Sequence, residues 1–269
     1  MPSPTQTHIE ERVSYPVHES RIYAEIEDRS FWFQHRNALI AALAQQWAPG
    51  AAFCDVGGGN GVVAAALQAQ GRRVTLIEPG RAACACARDV RGISIVHEGT
   101  LEDSGIQPHP LLGAFDVVEH IEDSVGFLRT MRENTIPGGT VIIAVPAFQW
   151  LWSNEDIDAD HFRRYTRHSI RRELEDAGWS VHQTSYFFSL LVLPIALLRS
   201  LPWRLGFRKS REEGVAIDAA RIQREHASGS KGLAKLAQRA FSWEIPWILK
   251  GRSLPIGSSV IAIAKKPTA

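Results

Sequence analysis

The chain has 269 residues, 45% of them hydrophobic and 22% charged, with a formal net charge of +1. That length and balance predict one large domain, or a domain with a sizeable insertion, and exclude disordered, collagen-like and coiled-coil chains. Cys54, Cys84 and Cys86 form no CxxC pair, so no disulfide framework is expected, and near-neutral charge gives no support to nucleic-acid binding.

Met1–Ser20 is polar, carries Pro2, Pro4 and Pro16, and lacks a basic-then-apolar signal, so residues 1–30 read as an arm on a cytoplasmic protein. From Phe33 to Trp47, the residues Phe33, Leu39, Ile40, Leu43 and Trp47 recur at helical spacing, and Pro49-Gly50 stops the helix. Strand-like runs follow at Ala51–Val56, Arg73–Glu78, Ile93–Val96, Leu111–Val118 and Thr140–Val145. Between them, Gly61–Gln70, Arg81–Val90 and Ile121–Thr135 read as helices. Pro137-Gly138-Gly139 reads as a turn into the fifth strand. Helix Ser169–Ala177 stops at Gly178, Trp179–Phe187 makes a sixth strand, and Gly257–Lys265 makes a last one. The alternation predicts an α/β, Rossmann-like, mostly parallel sheet of seven strands with helices on both faces. Residues 31–187 and 254–269 are expected to form this domain, with 188–253 as a helical insertion before the last strand.

That insertion opens with Ser189–Leu201, a nearly unbroken apolar run interrupted by Pro194. It is too short to span a bilayer, which takes about 20 residues. One reading is a buried helix. The other is an in-plane membrane helix bent at Pro194 into a shallow hairpin, supported by Trp203, Arg204, Arg208, Lys209 and Arg211 just after it. Residues 189–211 are thus the candidate for peripheral contact with the inner membrane face. Charge is also uneven: Glu98–Asp160 holds twelve Asp/Glu against two Lys/Arg, and Arg199–Arg239 ten Lys/Arg against four Asp/Glu. Such runs suit two solvated faces, or a basic stretch meeting an anionic surface.

The most informative stretch is Phe53-Cys54-Asp55-Val56-Gly57-Gly58-Gly59-Asn60-Gly61, between a strand and a helix. Glycines here let the backbone turn tightly and approach a ligand. Glu78 closes the second strand 21 residues after Gly57, where a carboxylate can accept both hydroxyls of a ribose. A dinucleotide loop requires G-x-G-x-x-G, which the spacing here does not give, and no Gly-Lys-Ser/Thr of a phosphate loop follows. Asp55 disfavours a phosphate beside it and favours a cationic ligand, such as a sulfonium with an amino-acid tail.

With these residues the sequence resembles the class I S-adenosylmethionine-dependent methyltransferases, and within them the branch related to the ubiquinone-biosynthesis O-methyltransferase. The resemblance covers roughly Phe31 to Gly178 and rejoins near Gly257. It is carried by Asp55–Gly61, Glu78, Glu98-Gly-Thr-Leu-Glu102, Ala114–Asp123, Pro137-Gly-Gly139 and Trp32-Phe33-x-x-Arg36. It implies an antiparallel last strand and S-adenosyl-L-methionine as cofactor. The implied cofactor contacts are Arg36, Asp55, Gly57, Gly59, Gly61, Glu78, Pro79, Thr100, Leu101 and Phe115. The family often opens its fourth strand with Phe-Asp, whereas His109-Pro110 leads into Leu111 here.

Methyl transfer from a sulfonium is an in-line displacement, and a hydroxyl acceptor profits from a general base. His120, at the start of the helix after the fourth strand, and His161, in the loop after the fifth, are the candidates; each has a structural alternative as a loop-ordering residue. Trp152, Asp156, Arg164 and Tyr165 are the candidate acceptor contacts, although Arg163 or Arg164 could equally clamp the loop's own acids. Phe148, Trp150 and Trp152 could stack on a substrate or pack in the core. Glu119, His120 and Glu122 on one short segment are too few to assign a metal. The expected acceptor is a small or lipid-linked molecule methylated at oxygen. Two alternatives are a non-catalytic member of the fold and a nicotinamide-dependent oxidoreductase.

Overall fold

The structure, a computed structural model, describes residues 24, 27, 28, 30–207 and 239–268. Helix α1 (Phe31–Trp47) leads into β1 (Phe53–Val56), α2 (Val62–Gln68), β2 (Val74–Glu78), α3 (Arg81–Asp89), β3 (Ile95–Glu98) and β4 (His109–Phe115). Then come α4 (Ser124–Glu133), β5 (Thr135–Pro146), α5 (Asn154–Asp158), α6 (Arg167–Asp176) and β6 (Ser180–Phe187). A helical segment over 189–204, helix α7 (Glu244–Leu249) and β7 (Ser259–Lys265) complete the described chain.

The strands form one seven-stranded sheet in the order β3-β2-β1-β4-β5-β7-β6. β1 pairs in parallel with β2 and β4, whereas β7 runs antiparallel between β5 and β6. Strands β1, β2 and β7 are buried along almost their whole length, which is why they read as largely apolar runs. The strand order reverses between β1 and β4, so a crevice opens past their carboxyl ends, where such sheets bind ligands.

Several boundaries differ from the sequence expectation. β4 starts at His109, whose N–H donates to the Asn134 carbonyl (2.9 Å). Pro137-Gly138-Gly139 is not a turn before β5 but lies inside it. His109 pairs with Thr135 and Leu111 with Thr140, so the intervening β5 residues bulge opposite Pro110. Gly138, at φ +74°, permits the bulge. The helix expected from Ile121 begins only at Ser124, where the Asp123 side chain accepts from Gly126 N (2.9 Å); a 3₁₀ turn, Val118–His120, precedes it.

The larger correction concerns Ser189–Leu201. It is buried on one side only, at Val192 and Ser200, and is not a hairpin within the described residues. Successive 3₁₀, α, π and α turns run from Ser189 to Arg204; Leu190, Leu193, Leu197, Leu198 and Leu201 face outward, whereas Leu191 packs against the core. Pro194 provides no N–H, and the looser π turn Ala196–Ser200 follows it. Beyond it, Phe241 and Ile248 join the core, with Phe241 stacked on Phe31 at 6.0 Å. Arg208, Lys209, Arg211 and the arm 1–23 lie outside the described residues. Among the described residues no helix is long and apolar enough to cross a membrane. All three cysteines are free and buried.

Candidate functional site

The loop after β1 folds onto the end of β2. Gly57 and Gly58 N–H both donate to the Ile77 carbonyl, at 2.8 and 3.2 Å. Glu78, almost fully buried, accepts from Gly59 N (3.0 Å) on one oxygen and Gly80 N (2.8 Å) on the other. Each oxygen keeps a further lone pair, so the carboxylate is aimed without being exhausted. Gly57 adopts φ +69°, and a Cβ there would meet Val117 Cγ2 at 2.7 Å; at Gly59, φ +54°, a Cβ would meet nothing within 4 Å. The open side of the loop is therefore at Gly59, beside Glu78.

Asp55 ends up beneath this loop, 1% exposed, with Oδ2 lacking a partner among the described residues. Burial pushes its carboxyl up to about 7 against the pull of the Arg36 guanidinium. Arg36 reaches in from α1, its Cζ 4.5 Å from the Trp32 ring centroid and 5.0 Å from that of Phe33. Its Nη1 pairs with Asp116, which sits at φ +56° just past β4. A buried cation thus serves several acids from β1 and β4. Glu27 joins from the N-terminal side, bonded to Asn60 (3.4 Å) and Arg91 (2.9 Å).

Past β4 and β5, the two expected histidines meet: the His120 and His161 rings lie edge to face at 4.6 Å. Burial and the neighbouring His161 lower the His120 pKa, which favours its neutral form. His161 Nδ1 contacts Asp156 Oδ1 at 2.8 Å. Asp156 is fully buried and accepts from Arg164 Nε (2.6 Å), Arg164 Nη2 (2.9 Å) and Ser153 N (2.9 Å). Asp156 and Arg164, both expected near the acceptor, pair with each other in the loop, because a carboxylate with no exposed surface needs a cation to justify its charge. Tyr165 is also buried, with its backbone bridged to Ala147. Trp152 remains half-buried. Arg163 donates to Ser124 Oγ (3.0 Å) and the Glu122 carbonyl (2.8 Å), tying the loop to α4.

Of the remaining expected cofactor contacts, Pro79 and Thr100 are half-buried past β2 and β3, with Thr100 Oγ1 donating to Asp103 Oδ2 (2.8 Å). Leu101 is buried beside it. Phe115 is a core residue: its ring lies 6.3 Å from that of Phe53, over Gly113, and a Cβ at Gly113 would overlap it.

Sequence reasoning assigned no role to Asp116 or Gly58, and it considered Glu119 beside His120 and Glu122 without assigning a metal. Glu119, His120 and His161 each offer one ligand atom, all within 4.8 Å of one another, so among the described residues the distant His161 joins Glu119 and His120 as a set that could hold a cation. Glu119 is fully buried, with neither carboxylate oxygen bonded among the described residues. Burial, and then Asp116, raise its pKa well above the usual range, so without a cation it favours the neutral acid. Asp116 was legible only as part of a motif; its pairing with Arg36, 80 residues away, has no local signal.

The model of the methyltransferase domain family matches residues 29–184, more than half of the sequence, and the chain belongs to that family. No curated protein matches it significantly. A chain from the complex between the Haloferax volcanii Trm112 methyltransferase activator and its methyltransferase is 16% identical, covering 93% of this chain and 95% of that one (TM-score 0.58). An S-adenosylmethionine-dependent methyltransferase from Thermotoga maritima is likewise 16% identical, with coverages of 92% and 97% (TM-score 0.53). Haemonchus contortus phosphoethanolamine N-methyltransferase 2, solved with S-adenosyl-L-methionine, matches at 16% identity over 86% of this chain and 52% of that one (TM-score 0.52). These likenesses show the Rossmann-like methyltransferase fold, and S-adenosylmethionine is the cofactor of the family.

Proposed function

We propose that the protein transfers a methyl group from S-adenosylmethionine to a hydroxyl of a small or lipid-linked acceptor. The observation that carries this reading is the loop Asp55–Gly61, clamped by its amides to Glu78 and left open at Gly59. Glu78 has lone pairs free for a ribose diol, and Asp55 and Arg36 provide opposite charges suited to a zwitterionic amino-acid tail. When bound, the sulfonium supplies an electrophilic methyl. The chain must then hold the acceptor oxygen in line and remove its proton. His161, oriented by Asp156, is the base we assign, with His120 keeping a second neutral imidazole beside it. Trp152 is the half-buried aromatic available to an acceptor. Kinship with the ubiquinone-biosynthesis O-methyltransferase branch is supported by the motifs around Asp55 and Glu119-His120 alone.

Calorimetry tests the cofactor reading directly. S-adenosylmethionine and S-adenosylhomocysteine should bind, and Glu78→Gln should weaken both by about tenfold, the loss of one good charged hydrogen bond. Tighter binding of NADH than of S-adenosylmethionine would replace this reading with an oxidoreductase.

A further inference from the structure

We propose that the 189–207 segment docks the protein on an anionic lipid surface, placing the crevice past β1 and β4 beside it within reach of an acceptor carried in the bilayer. Only the second clause rests on the methyl-transfer reading.

Leu190, Leu193, Leu197, Leu201 and Leu205 recur at helical spacing along one face, joined by Leu198 and Phe207, and every one is exposed. Leu198 and Phe207 are each 72% open to solvent. Val192 and Ser200 are buried on the opposite face. Single exposed leucines are ordinary, but seven large apolar side chains along one short segment form a patch of the kind that marks an interaction site.

The buried face of the segment is fixed to the loop that carries the histidine clamp. Ser200 Oγ donates to the Leu151 carbonyl (2.8 Å), Arg204 Nη2 to the Trp150 carbonyl (3.1 Å), and Arg199 pairs with Glu155 (3.3 Å). Glu155 is next to Asp156, which orients His161. The same loop exposes Trp150, Ile157 and Phe162. An apolar rim therefore runs from the leucine face to the loop around the candidate base.

Charge selects the occupant. Residues 199–239 carry ten Lys/Arg against four Asp/Glu, and Arg208, Lys209 and Arg211 follow Phe207 directly in sequence. A second copy meeting the same face across a two-fold axis would set that excess against itself. An anionic bilayer complements it, and an apolar stripe edged by tryptophan and basic residues suits burial at the depth of the headgroups.

Flotation of the full chain with phosphatidylcholine vesicles containing about a third phosphatidylglycerol tests the proposal. The protein should rise with these vesicles at low salt and rise less with pure phosphatidylcholine. Leu197→Glu/Leu198→Glu should lower partitioning by about tenfold or more, with melting temperature and S-adenosylmethionine affinity unchanged. Phe207→Ser, past the helical turns, should act in the same direction without touching them. Wild-type protein that stays down with anionic vesicles overturns the proposal, as do variants that float equally well. A lipid-free dimer abolished by the same variants would assign the face to a second copy. Protein that floats but fails to bind S-adenosylmethionine removes the methyl-transfer reading and leaves the docking surface standing.

Discussion

His161 Nδ1 lies 2.8 Å from Asp156 Oδ1, and this contact decides what the other ring nitrogen can do. Burial opposes charge on Asp156, yet hydrogen bonds from His161 and Arg164 outweigh it and hold the carboxyl below its usual range. An ionised Asp156 only accepts, so a neutral His161 keeps its proton on Nδ1 and presents a lone pair on Nε2. Asp156 is thus a positioning residue for His161, the base proposed above.

The first prediction follows from that tautomer. Nitrogen-15 spectra at pH 8 should show His161 protonated on Nδ1, and Asp156→Asn should mix the two tautomers. With an acceptor in hand, His161→Gln should slow turnover by about 10²-fold or more at unchanged cofactor affinity. A dominant Nε2–H form in the wild type would remove His161 as the base.

Glycine substitutions separate steric exclusion from misfolding. Gly57→Val places a branched side chain at φ +69° and against Val117, so its loss of binding would be inseparable from strain in the loop. Gly59→Ala has open space and costs only the left-handed backbone, about 1–2 kcal/mol, or several degrees of melting temperature. It should nevertheless weaken S-adenosylmethionine by tenfold or more, because its methyl enters the space beside Glu78. Wild-type affinity in Gly59→Ala would place the ligand elsewhere.

The alternation of apolar runs and helices made the sheet legible, because strands buried on both faces show it in every residue. The glycine loop was legible for a similar reason: its backbone geometry needs particular residues at fixed offsets. What stayed hidden depends on partners distant in the chain. Asp156 was legible as a loop acid and candidate acceptor contact, with an arginine clamp as the alternative, but that Arg164 and Ser153 are the residues that close on it was not. Phe115 was expected at the cofactor because the motif ends there; that its ring also packs 6.3 Å from that of Phe53 had no local signal. The outward leucines of 189–205 have the composition of a core helix, and only the fold tells which side of them is covered.

Asp55 makes stability and cofactor binding depend on pH near neutrality. Burial raises its carboxyl to about 7, with Glu78 adding to the rise and Arg36 opposing it. Between about 4, the unfolded value, and 7 the native state binds more protons than the unfolded one, so stability falls as pH rises. The penalty at pH 8 is on the order of 4 kcal/mol at most, and Asp55→Asn should flatten the slope and raise the melting temperature there. A cation bound beside Asp55 should expel its proton. The binding enthalpy of S-adenosylmethionine at pH 6.5 should then vary with the ionisation enthalpy of the buffer in wild type and not in Asp55→Asn. Identical enthalpies in phosphate and Tris would contradict this.

The last prediction concerns the attachment of the leucine segment to the domain. Glu244 is fully buried and accepts from Phe188 N (2.8 Å), Ser189 N (2.8 Å) and Ser189 Oγ (2.6 Å), with His35 Nε2 at 3.3 Å. Two of these donors are backbone amides where the segment leaves β6, so the carboxylate fixes the first turn and ties it to α1. Burial opposes its charge, but His35 and Ser189 outweigh that and hold the carboxyl below its usual range. A depressed native value means the stabilisation is complete above the unfolded value of about 4.3 and is lost as pH falls through the native one. Glu244→Gln retains the shape but sets an NH₂ against an amide donor, and should cost roughly 2–3 kcal/mol at pH 7. The gap to wild type should narrow as pH falls below the unfolded value and close once pH passes the depressed native one, where Glu244 itself becomes protonated. Hydrogen exchange should quicken across residues 188–195 in the variant and stay unchanged in β1 and β4. Equal protection of the segment in both proteins would mean that its contacts with Leu151 and Glu155 suffice, and that Glu244 stabilises α7 alone.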